Sequence, residues 1–134
     1  MIMKEIKNLN EILKNINPVL SDKEYIFALL KNKNREEVTL LDPFSITYEQ
    51  EGISVIIEKQ TAEINEINFE TVYNKITLQV FSSLDAVGLT ATVSSALAEK
   101  DIPANVVAAY NHDYIFVPSS KASQAMQVLN SLSE

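Results

Sequence analysis

The stretch Ser82-Ser83-Leu84-Asp85-Ala86-Val87-Gly88-Leu89-Thr90 leads from an apolar, strand-like run into a helix-like one. A helix starting there offers free backbone N–H groups and the positive end of its dipole, which favour an anion such as a ligand carboxylate. Asp85 is placed to receive a ligand ammonium group. Gly88 has no side chain to block close approach by a ligand or by neighbouring backbone. The competing structural reading makes Asp85 a helix cap and Gly88 a packing position, and the residues alone leave both open.

His112 and Asp113 resemble a catalytic pair, but adjacent strand residues point to opposite faces, which works against a His–carboxylate dyad. They read instead as a polar hairpin turn, with Asp113 bonding nearby backbone N–H groups. The acids Glu36 and Glu37, and Glu49 and Glu51, read as solvated loop and hairpin residues. No serine has the setting of a nucleophile, and no glycine-rich phosphate loop is present.

Composition removes further chemistry. The 134 residues are 46% hydrophobic and 22% charged, with two glycines, four prolines and no cysteine. That is the balance of a compact domain, without disulfides, thiolate metal sites or thiol catalysis. A single histidine leaves no imidazole cluster for a metal, and no cofactor is expected. Eleven basic against eighteen acidic side chains give a net charge of −7. Such a field repels phosphate backbones and anionic membranes, so neither nucleic acid nor a membrane is expected as partner. The opening MIMKEIKNLNEILK interleaves charges among its apolar residues and lacks the apolar stretch of a signal peptide, so the expected location is the cytoplasm.

These residues need elements to position them. Ile2, Ile6, Leu9, Leu13 and Ile16 form one helical stripe, which Pro18 should end at Asn17. Glu24–Leu30 reads as a strand buried on both faces, and 31–43 as a charged, solvated connection. Phe44, Ile46 and Tyr48 alternate with polar residues, and Ile53, Val55 and Ile57 resume the alternation. Gln50-Glu51-Gly52 between them reads as a three-residue hairpin loop with a left-handed Gly52. A short helix with Thr61 as N-cap follows, and then a long strand over 69–82. A helix over 86–100 has the inner face Leu89, Val93 and Leu97. Two short strands at 104–110 and 114–117 come next, joined through Asn111-His112-Asp113. The last helix carries the stripe Ala122, Ala125, Met126, Leu129 and Leu132. From residue 75 the order is βαββα, a βαββαβ unit without its closing strand. The economical arrangement is two interlocked units, each borrowing an element from the other.

The run KITLQVFSSLDAVGLTATVSSALAEKDIPANVVAAYNHDYIFVP resembles an ACT domain, the small-molecule-sensing βαββαβ module of amino-acid metabolism. The whole chain is similar to a small bacterial family of tandem ACT proteins. The residues that carry the resemblance are Ser82–Ala91 and Ile102–Pro118. Pro103 stands where serine is common in that family, and Ala109 where glycine is frequent. The resemblance implies ligand binding where paired units meet. By position it implicates Ser83, Leu84, Asp85, Ala86, Val87 and Gly88 from the loop, and Asn105 and Val106 from the facing strand.

The expectation is therefore an α+β fold of two interlocked ferredoxin-like ACT units, with antiparallel sheet and helices on one face. Residues 1–69 would make an N-terminal unit and 70–134 a C-terminal one. The expected function is a non-enzymatic regulatory module that binds an amino acid, similar to the regulatory ACT pair of aspartate kinases. The alternative is a protein–protein interaction module without a small ligand. A homo-oligomer is expected, with a metabolic enzyme as a further candidate partner.

Overall fold

The structure, a computed structural model, describes residues 9–79 and 88–134. Its elements run α1 (Leu9–Lys14), β1 (Pro18–Leu30), α2 (Arg35–Thr39), β2 (Ser45–Glu49), β3 (Gly52–Glu58), α3 (Lys59–Ile64) and β4 (Tyr73–Leu78). They continue with α4 (Leu89–Ala98), β5 (Asn105–Ala108), β6 (Asp113–Pro118), a 3-10 turn over Ser119–Lys121, and α5 (Ala122–Ser131). Asp22–Tyr73 form one compact unit, and the described residues before and after it form a second. We call these the inserted and the flanking unit.

In the flanking unit the strand order is β1-β4-β6-β5. With β4-α4-β5-β6-α5 as chain order, the start of β1 takes the place of the missing closing strand. Gln79 donates its backbone N–H to the Ile16 carbonyl at 3.0 Å, and Asn17 Nδ2 donates to Gln79 Oε1 at 2.8 Å. β5 and β6 pair antiparallel, with Asn105 opposite Phe116 and Ala108 opposite Asp113. Ile76 and Leu78 of β4, with Ile115 and Val117 of β6, meet Leu89, Val93 and Leu97 of α4 and Ala125 and Leu129 of α5. The inner faces expected of both helices are the ones buried. Ile12, which the expected stripe omits, is fully buried in the same core as Ile16, because it lies three positions from Leu9 and beside Leu13 on the helix face that packs there. The helix itself is short and gives way before Asn17, whose φ is +36°.

The inserted unit is built on the order β2-β3-β1. Its antiparallel ladders place Phe27 opposite Ile56 and Ile56 opposite Ser45. Alternation then divides β1: Ile26 and Leu30 enter the core with Val38, Leu41, Val55, Ile57 and Ala62, while Phe27 and Leu29 lie on the other face. Those two are 37% and 42% exposed, so the strand is not buried on both faces as its composition suggests. It also begins at Pro18, earlier than expected. The α+β class and the interlocked ferredoxin-like arrangement are those read from the sequence.

Three local expectations change. The connection 31–43 contains α2, held by a reciprocal capping box: Glu37 N–H donates to Asn34 Oδ1 at 2.9 Å, and Asn34 N–H to Glu37 Oε1 at 3.0 Å. Val38 and Leu41 anchor that segment in the core, so the charges around them hide a buried face. The β2–β3 loop is Gln50-Glu51 alone, since Glu49 already pairs with Gly52. Gly52 is the first residue of β3, at φ +157°, and a Cβ there would lie 2.9 Å from the Leu30 carbonyl oxygen. Glycine is required here by close approach to a neighbouring strand and by a positive φ at the start of β3, not by a position inside a three-residue loop. Finally, α3 starts at Lys59 with Glu58 at its N-cap, so Thr61 is inside the helix.

Candidate functional site

Of the loop residues singled out from the sequence, Ser83, Leu84, Asp85, Ala86 and Val87 lie outside the described residues. Gly88 is described, and its role is specific. It stands at the N-cap of α4 with φ +98°, a left-handed conformation that strains any residue with a Cβ. Its carbonyl accepts the Thr92 N–H at 2.9 Å, the first bond of the helix. An ideal Cβ on Gly88 would sit 3.2 Å from Leu9 Cδ2. Two demands of the fold therefore account for this glycine, whatever approaches the loop.

Asn105 and Val106 lie in β5, at the end of the flanking unit's strand order, so one backbone edge of β5 has no strand on it among the described residues. Val106 is half-buried against the core, and Asn105 is exposed on the opposite face. Successive strand residues cannot present their side chains to one ligand, so what Asn105 and Val106 share toward a visitor is the strand's backbone.

The hairpin that follows spans 109–112, with the Ala109 N–H donating to the His112 carbonyl at 3.0 Å. His112 and Tyr114 meet edge to face, 6.3 Å between ring centres, and the Lys75 ammonium lies 5.6 Å from the centre of the Tyr114 ring. Burial pushes the Asp113 carboxyl above the ordinary carboxylate range, and the neighbouring His112 charge opposes that shift. This is an electrostatic neighbourhood on a turn. Among the described residues no three of His, Cys, Asp and Glu are grouped to hold a metal ion. None of the described helices is long and apolar enough to cross a membrane.

The inserted unit contributes clefts that sequence reasoning did not single out. One, of about 480 Å³, runs between the β1 and β3–α3 segments, where Lys23 pairs with Glu58 at 3.5 Å and Lys59 with Glu24 at 3.8 Å. Both pairs are solvent-exposed, so they add little stability. Another, of about 420 Å³, is lined by the end of β1, residues 31–33 and residues 66–68. The signal for it in the sequence was the KNKNR run, three basic residues within five positions of an acidic chain.

Taken together, the topology and core are those of an α+β protein with tandem ferredoxin-like units. Two ACT-domain family models match it, one over residues 4–74 and the other over 70–131. The chain belongs to the ACT-domain family. It is similar to a Vibrio cholerae protein of unknown function, described as a possible transport protein. That likeness has 36% identity and a TM-score of 0.86, over 94% of this chain and 96% of that one. The ligand-free regulatory subunit of aspartate kinase from Thermus thermophilus is 11% identical with a TM-score of 0.65, over 90% of this chain and 99% of that one. E. coli aspartokinase III, in complex with aspartate and ADP, is 14% identical with a TM-score of 0.59, over 86% of this chain and 32% of that one. The last two show likeness of fold. None of the curated proteins matches the sequence.

Proposed function

We propose that this chain is a non-enzymatic regulatory module that binds an amino acid where ACT units pair. The observation that carries the reading is the tandem ACT match over residues 4–131, with the sequence Asp85-Ala86-Val87-Gly88 immediately preceding α4. In this reading Ser83, Leu84, Asp85, Ala86, Val87 and Gly88 supply backbone N–H groups to the ligand carboxylate. Asp85 takes the ammonium group, and Asn105 and Val106 of a second copy close the site with backbone. The open edge of β5 gives that pairing a surface to use. The net charge of −7 argues against nucleic acid and anionic membranes as partners. A metabolic enzyme in the cytoplasm is the partner such a module would adjust.

A thermal-shift panel of the twenty amino acids tests it. A ligand at 100 times its dissociation constant stabilises by about 2.7 kcal/mol, a shift of several degrees for a chain of this size. Asp85→Asn should then weaken binding roughly ten- to a hundredfold, the loss of one charge-assisted bond. A flat panel favours the second reading, an interaction module without a small ligand. The exposed Phe27 and Leu29 on the open face of the inserted unit speak for that alternative.

A further inference from the structure

The inserted unit is acidic: Asp22–Tyr73 hold eleven Asp and Glu against five Lys and Arg. Its cations should therefore find carboxylates easily, and several are engaged. Lys23 and Lys59 are ion-paired, and the Arg35 guanidinium lies 4.5 Å over the Tyr48 ring. Lys31 and Lys33 are the exceptions. Among the described residues neither has an ion-pair or hydrogen-bond partner, and both line the same cleft of about 420 Å³. Asn32 and Asn68, whose side chains also have no hydrogen-bond partner among the described residues, line it as well. Glu66 completes the rim without pairing to either lysine.

From this we infer that the cleft is a binding site for a compact dianion, with Lys31 and Lys33 as its counter-charges and the Asn32 and Asn68 amides as neutral donors. Charge-assisted bonds from ammonium to an anionic oxygen are the strong ones, and here two such donors are unspent. The surrounding negative field makes the site selective. The net negative charge of this unit repels an anion in general, and the two uncompensated cations lining the cleft offset that repulsion there. Glu66 lowers the local charge, so a ligand is held when it engages both ammonium groups at once, which a dianion does with two anionic oxygens. All the walls belong to the inserted unit, so the site is complete without pairing and does not depend on the amino-acid site proposed above.

The test is titration of the full chain with succinate, inorganic phosphate and acetate, followed by amide NMR and by calorimetry. Saturable shifts at 31–33 and 68 with a dianion, absent with acetate, are expected. Whether succinate or phosphate binds more tightly identifies the source as carboxylate or phosphate. Lys31→Gln and Lys33→Gln should each weaken binding roughly tenfold. Glu66→Gln should tighten it, and Lys100→Gln, on the flanking unit, should leave it unchanged. Melting curves of these surface variants verify that each is folded. No saturable shift with either dianion, or equal binding by the Lys31→Gln/Lys33→Gln double variant, overturns the inference. Neither result bears on amino-acid binding at 83–88.

Discussion

In the inserted unit the helices α2 and α3 are five and six residues long, REEVT and KQTAEI, and both are charged. In the flanking unit α4 and α5 are ten residues each, LTATVSSALA and ASQAMQVLNS, without one charged side chain. Both pairs cover a sheet in the same order of elements, yet they are held differently. Helices of one to two turns are poor in isolation, since nucleation costs more than so few bonds return. α2 compensates with the Asn34–Glu37 capping box and a single buried anchor, Val38. α4 and α5 have no side-chain cap and instead bury three residues each. α3 has neither device, with Ala62 as its single buried residue and no side-chain cap, so local capping in α2 and burial in α4 and α5 are two ways of holding a helix in this topology but not a rule for all four.

The glycines sharpen this contrast and give the largest effect. A Cβ at Gly52 would meet the Leu30 carbonyl, which β1 cannot move without breaking its ladder; at Gly88 it would meet a Leu9 methyl, which can turn away. Gly52→Ala should cost about 1–3 kcal/mol, and Gly88→Ala about 1 kcal/mol from its φ alone. Urea denaturation of both measures the difference. Equal costs would mean that Leu9 is as fixed as a strand carbonyl.

The helix ends offer a smaller effect of opposite sign. α3 and α4 both close with a six-to-one bond, Ile67 N–H to the Ala62 carbonyl at 2.9 Å and Ile102 N–H to the Leu97 carbonyl at 3.0 Å. Glycine is the usual residue at the left-handed position of this motif. Here Glu66 at φ +54° and Asp101 at φ +57° occupy it. Left-handed geometry costs an ordinary side chain about 1–2 kcal/mol, and Asp is among the residues that tolerate it. Glu66→Gly should therefore stabilise by about 1 kcal/mol and Asp101→Gly by less, as read by melting midpoints. The reverse ranking would show that Glu66 gains something from its side chain that the fold does not reveal.

Periodicity made much of this legible. The inner faces of α4 and α5 follow from residue spacing, and β2 and β3 stand where alternation placed them, although Ile46 and Tyr48 of β2 are exposed instead of half-buried. The family resemblance is carried by the Asp-x-x-Gly-Leu and Ala-Asn-Val-Val sequences. What escaped was context. α2 was hidden because charge dominates REEVT while its one buried residue is Val38, with the next, Leu41, beyond its end. β1 looked doubly buried because composition cannot say that Phe27 and Leu29 face outward. Lys31 and Lys33 read as solvated charges because only the fold shows that no carboxylate answers them. Gly88 had two readings, and φ +98° beside Leu9 establishes its role in the fold without addressing the ligand.

The smallest effect separates the two hairpins. The inserted unit turns through Gln50-Glu51, both exposed, whereas the flanking unit's hairpin delivers Asp113 half-buried at the head of β6. Burial raises the Asp113 pKa in the folded chain above its unfolded value, which is about 3.9. The folded state then binds the proton more tightly than the unfolded state. By linkage the free energy of unfolding falls as pH rises through this interval, and above it ionised Asp113 is a fixed cost. Asp113→Asn removes that cost, so the variant should be more stable than the parent at neutral pH. Its advantage should shrink as pH falls through the folded pKa and vanish below the unfolded one. His112 opposes the shift, so His112→Gln should drive the Asp113 carboxyl higher still, as followed by carboxyl NMR titration. If the gap between Asp113→Asn and the parent stays constant from about pH 7 to pH 4, ionisation of Asp113 is not its source, and the two hairpins differ only in length.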